Sequence, residues 1–298
     1  MEKPPVRRKL WLDLGLFYCA AIWGSTFIVV KGALAGVHPV AMVAIRFGLA
    51  ALLLLPWALQ RPKFTAQLKE GAVLSGFLAL LYVTQTFGLV YTSASNSGFI
   101  TGLFIIFIPV FMFFMKGQRP RRLEAVSAAL AVYGLWLLTG GASGFNKGDA
   151  LTLITVVTYA AHVVFTDKYM KAGSDMILLA FHQFWCVSLI AFLLAAVMGY
   201  PLAVAGAKCW WTIVFLAVFP TLSAYFVQMR AQKECEPFKV GLIFTLEPVF
   251  AALFAWTLGG ERFLPVKAAG GFLIVSGMLL GELAAFNWGK GPDQADRA

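Results

Sequence analysis

Apolar runs of 19 to 23 residues follow one another along the chain, separated by short polar connections. They cover 12–30, 40–59, 71–90, 97–115, 123–141, 149–167, 176–198, 210–229, 239–258 and 266–286. An α-helix rises about 1.5 Å per residue and needs about 20 apolar residues to cross hydrocarbon. The pattern therefore predicts an all-α protein of ten transmembrane helices. The connections leave no room for a soluble domain.

Within these runs the polar residues recur at helical spacing. In the sixth, Thr155, Tyr159, His162 and Thr166 fall at i, i+4, i+7 and i+11, one face of a helix. The eighth carries Thr221, Tyr225 and Gln228 in the same way, and the third carries Ser75, Tyr82, Gln85 and Thr86. In the first, Tyr18 and Ser25 share a face beside Trp23 and Thr26. Polar side chains in hydrocarbon turn away from lipid, so such stripes mark an interior cavity or interhelical contacts. An interhelical bond of this kind is worth about 0.6 kcal/mol and accounts for any single Ser or Thr. The tyrosines and His162 together are read as lining a cavity, with Trp185 of the seventh run packed or facing it.

Two charges lie inside the runs. Arg46 sits about two turns into the second, and Glu247 near the middle of the ninth, in "LEPVFAALF" (246–254). A charge at the bilayer centre costs about 2.5–3.5 kcal/mol on the insertion scale, so each marks a candidate site. Arg46 could bind exposed carbonyls or hold a substrate carboxylate through its planar fork. Glu247 could be a proton-coupling acid, a partner for a substrate ammonium group, or a structural acid. Pro248 removes a backbone donor and predicts a kink there.

The same phrase occurs five helices earlier as "FIPVFMFFM" (107–115), with Pro109 as the second kink and Ile108 replacing the glutamate. Five is odd, so the second copy enters from the opposite side. The chain thus reads as two five-helix repeats of inverted topology, 12–141 and 149–286, with tails 1–11 and 287–298. Inverted repeats suit alternating access around a site between them.

Charge placement orients this scheme. Of 24 Lys and Arg, 18 fall in the tails and alternate connections, including "KGQRPRR" (116–122) and "RAQKECEPFK" (230–239). Five lie on the opposite side: Lys31, Lys147, Lys208, Arg262 and Lys267. By the positive-inside rule both termini are cytoplasmic. The net charge of +10 thus reflects membrane topology and not nucleic-acid binding. Composition agrees: 13% charged and 60% hydrophobic residues, with mean hydropathy +0.80. Soluble domains carry about 25% charged residues. A signal peptide ending near Ala33-Leu34-Ala35 would leave nine helices and spoil the alternation.

Other chemistries find little support. The cysteines, 19, 186, 209 and 235, show no CxxC spacing, and His38 and His182 have no metal-ligand partner at suggestive spacing. Neither a metal nor a cofactor is expected. His162 and Asp167 form an HxxxxD string of the kind some membrane acyltransferases use, but positions five apart leave one helix face. No selectivity-filter sequence suggests a channel. "GMLLG" (277–281) could pack within the chain or between two copies, and a functional monomer is expected, with a dimer as the alternative.

"WGSTF" (23–27), Arg46-Phe47, "YTSASNSGFI" (91–100) and "LEPVF…GGE" (246–261) resemble, in order and spacing, the drug/metabolite transporter superfamily. Within it the chain is most similar to the EamA family and its YddG-type amino-acid exporters, over residues 12–286. The resemblance implies a basket of helices one to four and six to nine around a central cavity, with five and ten peripheral. It also implies a secondary carrier of the inner (plasma) membrane exporting small metabolites, such as aromatic or other neutral amino acids. A broad exporter of cationic or amphipathic drugs is the alternative. The expected site comprises Tyr18, Trp23, Ser25, Arg46, Tyr82, Gln85, Tyr159, His162, Trp185, Tyr225 and Gln228, with Glu247 as coupling or structural acid. The partners are a small-molecule substrate and the lipid bilayer.

Overall fold

The structure, a computed structural model, describes residues 6–116, 122–141, 143–234, 240 and 243–289. Parts of the tails and of the basic connections at 116–122 and 230–239 lie outside the described residues. The helices are α1 (Val6–Ala33), α2 (Pro39–Leu59), α3 (Leu68–Tyr91), α4 (Ala94–Gly102), α5 (Phe104–Lys116), α6 (Arg122–Thr139), α7 (Lys147–Lys171), α8 (Met176–Met198), α9 (Gly206–Leu216), α10 (Ala224–Glu234), α11 (Glu247–Thr257) and α12 (Pro265–Gly289). A π-helical turn, Ala217–Ser223, joins α9 to α10. Among the described residues six helical runs are each long and apolar enough to cross a membrane, and shorter apolar helices cover Ala94–Ile108, Ala125–Thr139 and Pro265–Gly281.

Three of the expected straight spans are interrupted, each for a local reason. The fourth breaks at Leu103, between α4 and α5, two turns before Pro109, which itself lies within α5. The eighth contains Pro220. Lacking an N–H, it cannot continue the α ladder, and the backbone slips into the π turn. The ninth is helical at 243–244, turns at Thr245 and Leu246, and restarts at Glu247. Pro248 therefore sits in the first turn of a new helix, where its missing donor has no partner to lose. Glu247 accordingly occupies a helix N-terminus and not a helix middle.

Packing follows a repeated scheme. α2 lies against α8 and α3 against α7; α1 packs on α11 and α10, while α7 packs on α4 and α5. α6 and α12 pack mainly on each other and meet the rest of the bundle through α4 and α5. The α6–α12 contact is made by glycines. A Cβ on Gly270 would stand 2.6 Å from both the Gly134 carbonyl oxygen and the Leu138 amide nitrogen. Ser127 Oγ donates to the Gly277 carbonyl at 2.6 Å, and a Cβ on Gly281 would meet that hydroxyl at 2.8 Å. "GMLLG" is thus occupied by α6 of the same chain. In the middle of α1, Gly24 of "WGST" lets α11 approach closely: a Cβ there would stand 2.8 Å from the Glu247 carbonyl oxygen.

Gly270→Ala should destabilise the protein by about 1–3 kcal/mol, because the added methyl meets backbone on the facing helix. Thermal unfolding in detergent reads this, with Gly76→Ala, where a Cβ would meet nothing within 4 Å, as the neutral control. Equal melting temperatures would contradict the α6–α12 packing.

Candidate functional site

A small cavity lies inside the bundle, beside the start of α11. It is lined by Trp23 and Thr26 of α1, Leu81, Tyr82 and Gln85 of α3, Tyr159 of α7, Tyr225 of α10, and Glu247. Only about 20 Å³ of it admits the centre of a water molecule. That is room for about one water.

Thr26 Oγ1 donates to the Trp23 carbonyl of its own helix at 2.7 Å; the other polar side chains of the lining are held by an irregular stretch of backbone or by another helix. Trp23 Nε1 donates to the Pro220 carbonyl at 2.7 Å, an acceptor in the π turn. Thr221 Oγ1, also in that turn, donates to the Leu216 carbonyl five residues back at 2.8 Å. The same hydroxyl oxygen accepts from Arg46 Nε at 2.6 Å, and Arg46 Nη2 donates to Tyr82 Oη at 3.4 Å. The guanidinium carbon lies 4.6 Å from the Tyr82 ring centroid. Tyr225 Oη donates to Tyr82 Oη at 3.4 Å. Opposite this chain, Tyr159 Oη donates to Glu247 Oε2 at 3.4 Å, with its ring stacked on Phe104 at 4.0 Å. Glu247 receives further support from the positive end of α11, whose first residue it is.

Arg46 and Glu247 are both buried. The ion pairs among the described residues are Arg61–Asp175, Lys171–Asp167 and Arg230–Glu234, and neither cavity charge belongs to one. A buried arginine and a buried glutamate thus lie beside one cavity, Glu247 in its lining and Arg46 behind Tyr82, without pairing with each other.

Of the residues expected from sequence, Trp23, Tyr82, Gln85, Tyr159, Tyr225 and Glu247 line this cavity, and Arg46 reaches it through Tyr82. Gln85 Nε2 donates to Thr101 Oγ1 at 3.3 Å, tying α3 to α4. His162 sits behind Tyr225, with ring centroids 5.8 Å apart, and its Nε2 bonds Gln183 Oε1 at 3.0 Å. Gln228 is buried on the face of α10 that carries Tyr225. Tyr18 instead reaches the outer side of the π turn, 2.5 Å from Ser223 Oγ. Ser25 Oγ donates to its own helix at the Ile22 carbonyl, 2.7 Å away, and Trp185 Nε1 donates to His182 Nδ1 at 3.1 Å. His162 and Asp167 do not meet, since Asp167 Oδ2 accepts from Lys171 Nζ at 2.7 Å. Thr26, Leu81, Thr101 and Gln183 join the site beyond those expected; the buried-stripe signal covered Thr26 alone of these.

The Arg46 fork needs both its partners in place. Arg46→Lys should cost about 1.5–3 kcal/mol, the range for hydrogen bonds to a charged group. Thr221→Val should cost less when Arg46 has already been replaced, because the two changes remove one shared bond. Denaturant unfolding of the four proteins tests this. Strictly additive losses would contradict the contact.

Comparison with known proteins follows the same outline. The profile of the EamA-like transporter family matches twice, at residues 10–140 and 146–281. A protein of Archaeoglobus fulgidus named "Uncharacterized transporter" is 32% identical over 275 residues, covering 92% of this chain and 86% of its own length. The "Uncharacterized inner membrane transporter YedA" of Escherichia coli K12 is 27% identical over 274 residues, 88% of this chain and 87% of that protein. The "Probable amino-acid metabolite efflux pump" of the same strain is 24% identical over 285 residues, 90% and 93%. A solved crystal structure superposes with TM-score 0.67 at 17% identity, covering 92% of this chain and 97% of the other, which shows a shared fold. The chain is a multi-pass membrane protein and belongs to the EamA-like transporter family.

Proposed function

We propose that this transporter exports small zwitterionic metabolites, foremost amino acids, by alternating access around the cavity bordered by Arg46 and Glu247. The observation that carries the reading is that a buried arginine and a buried glutamate lie beside one cavity, Glu247 in its lining and Arg46 one tyrosine away, without pairing with each other. An α-carboxylate matches the planar fork of Arg46. An α-ammonium group matches Glu247, and Trp23, Tyr82, Tyr159 and Tyr225 offer faces for a cation or an apolar side chain. With room for about one water, the cavity must widen to admit an amino acid, as a closed state of a carrier would. The name of the E. coli efflux pump relative points the same way.

The two halves act as inverted five-helix repeats, 12–141 and 149–286, forming a basket with the fifth and tenth spans outside. The double family match supports this, as does the packing scheme in which each contact recurs five spans away: first on ninth with sixth on fourth, and third on sixth with eighth on first. Both termini lie in the cytoplasm, on the strength of the 18-to-5 division of basic residues. The inner membrane is the location, as the name of the YedA relative suggests.

The aromatic lining also suits an exporter of organic cations, but the Arg46 charge at the same cavity opposes a cationic cargo. Counterflow of labelled amino acids, nucleosides and lipophilic cations in proteoliposomes decides between them. Saturable counterflow of neutral amino acids, lost at least tenfold in Arg46→Gln, is expected. Lipophilic-cation counterflow that rises in Arg46→Gln would overturn the assignment in favour of the drug exporter. In Glu247→Gln, counterflow should fall sharply; wild-type rate and pH dependence would assign the carboxylate to bonding alone, and a flattened pH profile would make it a coupling group.

A further inference from the structure

Behind Tyr225, away from the cavity, α7, α8 and α10 enclose a second set of polar side chains. Five buried atoms there find no hydrogen-bond partner in the protein: His162 Nδ1, Thr166 Oγ1, Gln183 Nε2, Gln228 Nε2 and Gln232 Oε1. All five residues are more than nine-tenths buried. They lie on three helices that pack together, α10 meeting both α7 and α8. His162 and Thr166 are one turn apart on α7, Gln183 is bonded to His162, and Gln228 and Gln232 are one turn apart on α10, following Tyr225 on its face. Tyr225 touches His162 on one side and the cavity on the other.

The opposite end of the bundle is different. Lys31 Nζ donates to the Leu89 and Thr92 carbonyls at 3.0 and 2.5 Å, and Thr92 Oγ1 donates to Asp149 Oδ1 at 2.5 Å. Glu261 accepts from the Ala94 amide at 2.6 Å and from Ser95 Oγ at 2.6 Å. There the polar groups of α1, α3, α4 and α7 satisfy one another and tie the elements shut.

A buried donor or acceptor without a partner loses its hydration and gains nothing in return, so native proteins avoid it. Five such atoms on three neighbouring helices, from one imidazole, one hydroxyl and three amides, fit a space occupied by water or by neutral hydrogen-bonding groups of a solute. We propose that the His162–Thr166–Gln183–Gln228–Gln232 cluster is a hydrated vestibule joining the central cavity to the aqueous phase at the Lys171 and Glu234 ends of α7 and α10. Tyr225 is the partition between vestibule and cavity. The vestibule gives a small polar solute water-like partners along its route, and its place as the entry side for export rests on the proposed function and orientation. The fully bonded network at the Lys31–Asp149–Glu261 end is the closed face in this conformation.

The test uses the full-length protein with its four cysteines replaced, carrying Thr166→Cys or Gln232→Cys, in inverted and right-side-out membrane vesicles. The probe is 2-sulfonatoethyl methanethiosulfonate, which reacts with hydrated thiols and does not cross the bilayer. Lys171→Cys is the exposed control, and Val157→Cys, on the outward face of α7, is the dry control. Both vestibule positions should react in inverted vesicles within about tenfold of the exposed control, and at least a hundredfold more slowly in right-side-out vesicles. Rates as low as at the Val157 position, or faster reaction from the other face, would overturn the proposal. This readout needs no substrate, so it stands apart from failure of the transport reading. Should the cysteine variants not fold, Thr166→Val and Gln232→Met decide. A dry cluster predicts a raised melting temperature with counterflow unchanged, which contradicts the vestibule. A hydrated one predicts a melting temperature that does not rise and counterflow reduced several-fold.

Discussion

Inside a bilayer no water is at hand to satisfy a polar group, so every donor and acceptor must find its partner within the protein or in a cavity. The architecture of this chain turns on that constraint. Regular α-helices satisfy their own backbones and leave nothing for a ligand or a side chain to bind. The three interruptions, at Leu103, at Ala217–Ser223 and at Thr245–Leu246, release or re-aim backbone groups, and residues of the cavity lining reach each: Tyr159 stacks on Phe104, Trp23 bonds the Pro220 carbonyl, and Glu247 starts the helix after the third. Side chains then take up what the backbone releases: Trp23 on the Pro220 carbonyl, Thr221 on that of Leu216, and through Thr221 the guanidinium of Arg46. The proline of "LEPVF" serves the same end. It starts a helix where a charged side chain can sit at the positive terminus and face the cavity.

The same constraint sorts the rest of the molecule into settled and unsettled regions. The α6–α12 pair is joined through glycines and a serine, with backbone-to-backbone closeness that leaves no freedom. The Lys31–Thr92–Asp149 and Glu261–Ser95 bonds close one end of the bundle. The α7–α8–α10 side, by contrast, carries its polar atoms unspent. A carrier needs such an imbalance, since two access states exchange which end is bonded and which is wet.

Much of this was legible in the sequence because the bilayer makes composition and spacing informative. Apolar runs gave the helices, and the aromatic and polar residues at helical spacing on the third, sixth and eighth spans do converge, as Tyr82, Tyr159 and Tyr225 show. What was not legible depends on partners distant in the chain. Pro220 announces a disturbance, but the sequence does not say that Thr221 and the distant Trp23 take up carbonyls of the π turn, or that Arg46 bonds the Thr221 hydroxyl. Gln183 lies in an apolar run with no stripe of its own, and only the arrival of His162 from α7 gives it a role. Tyr18 and Ser25 show the limit of spacing arguments, since one reaches Ser223 and the other bonds its own helix. The Pro109 position suggested where the fourth span would bend, yet the break falls at Leu103, where α4 and α5 meet different neighbours.

The central claim is that Arg46 and Glu247 remain unpaired so as to receive the two charges of one zwitterion. Competition against counterflow of a labelled neutral amino acid tests it most directly, comparing the unlabelled amino acid with its methyl ester and its deaminated acid. The account predicts that the zwitterion competes at least tenfold better than either analogue, because each analogue leaves one buried charge without its partner. Equal competition by the methyl ester would remove the carboxylate from recognition and contradict the role assigned to Arg46.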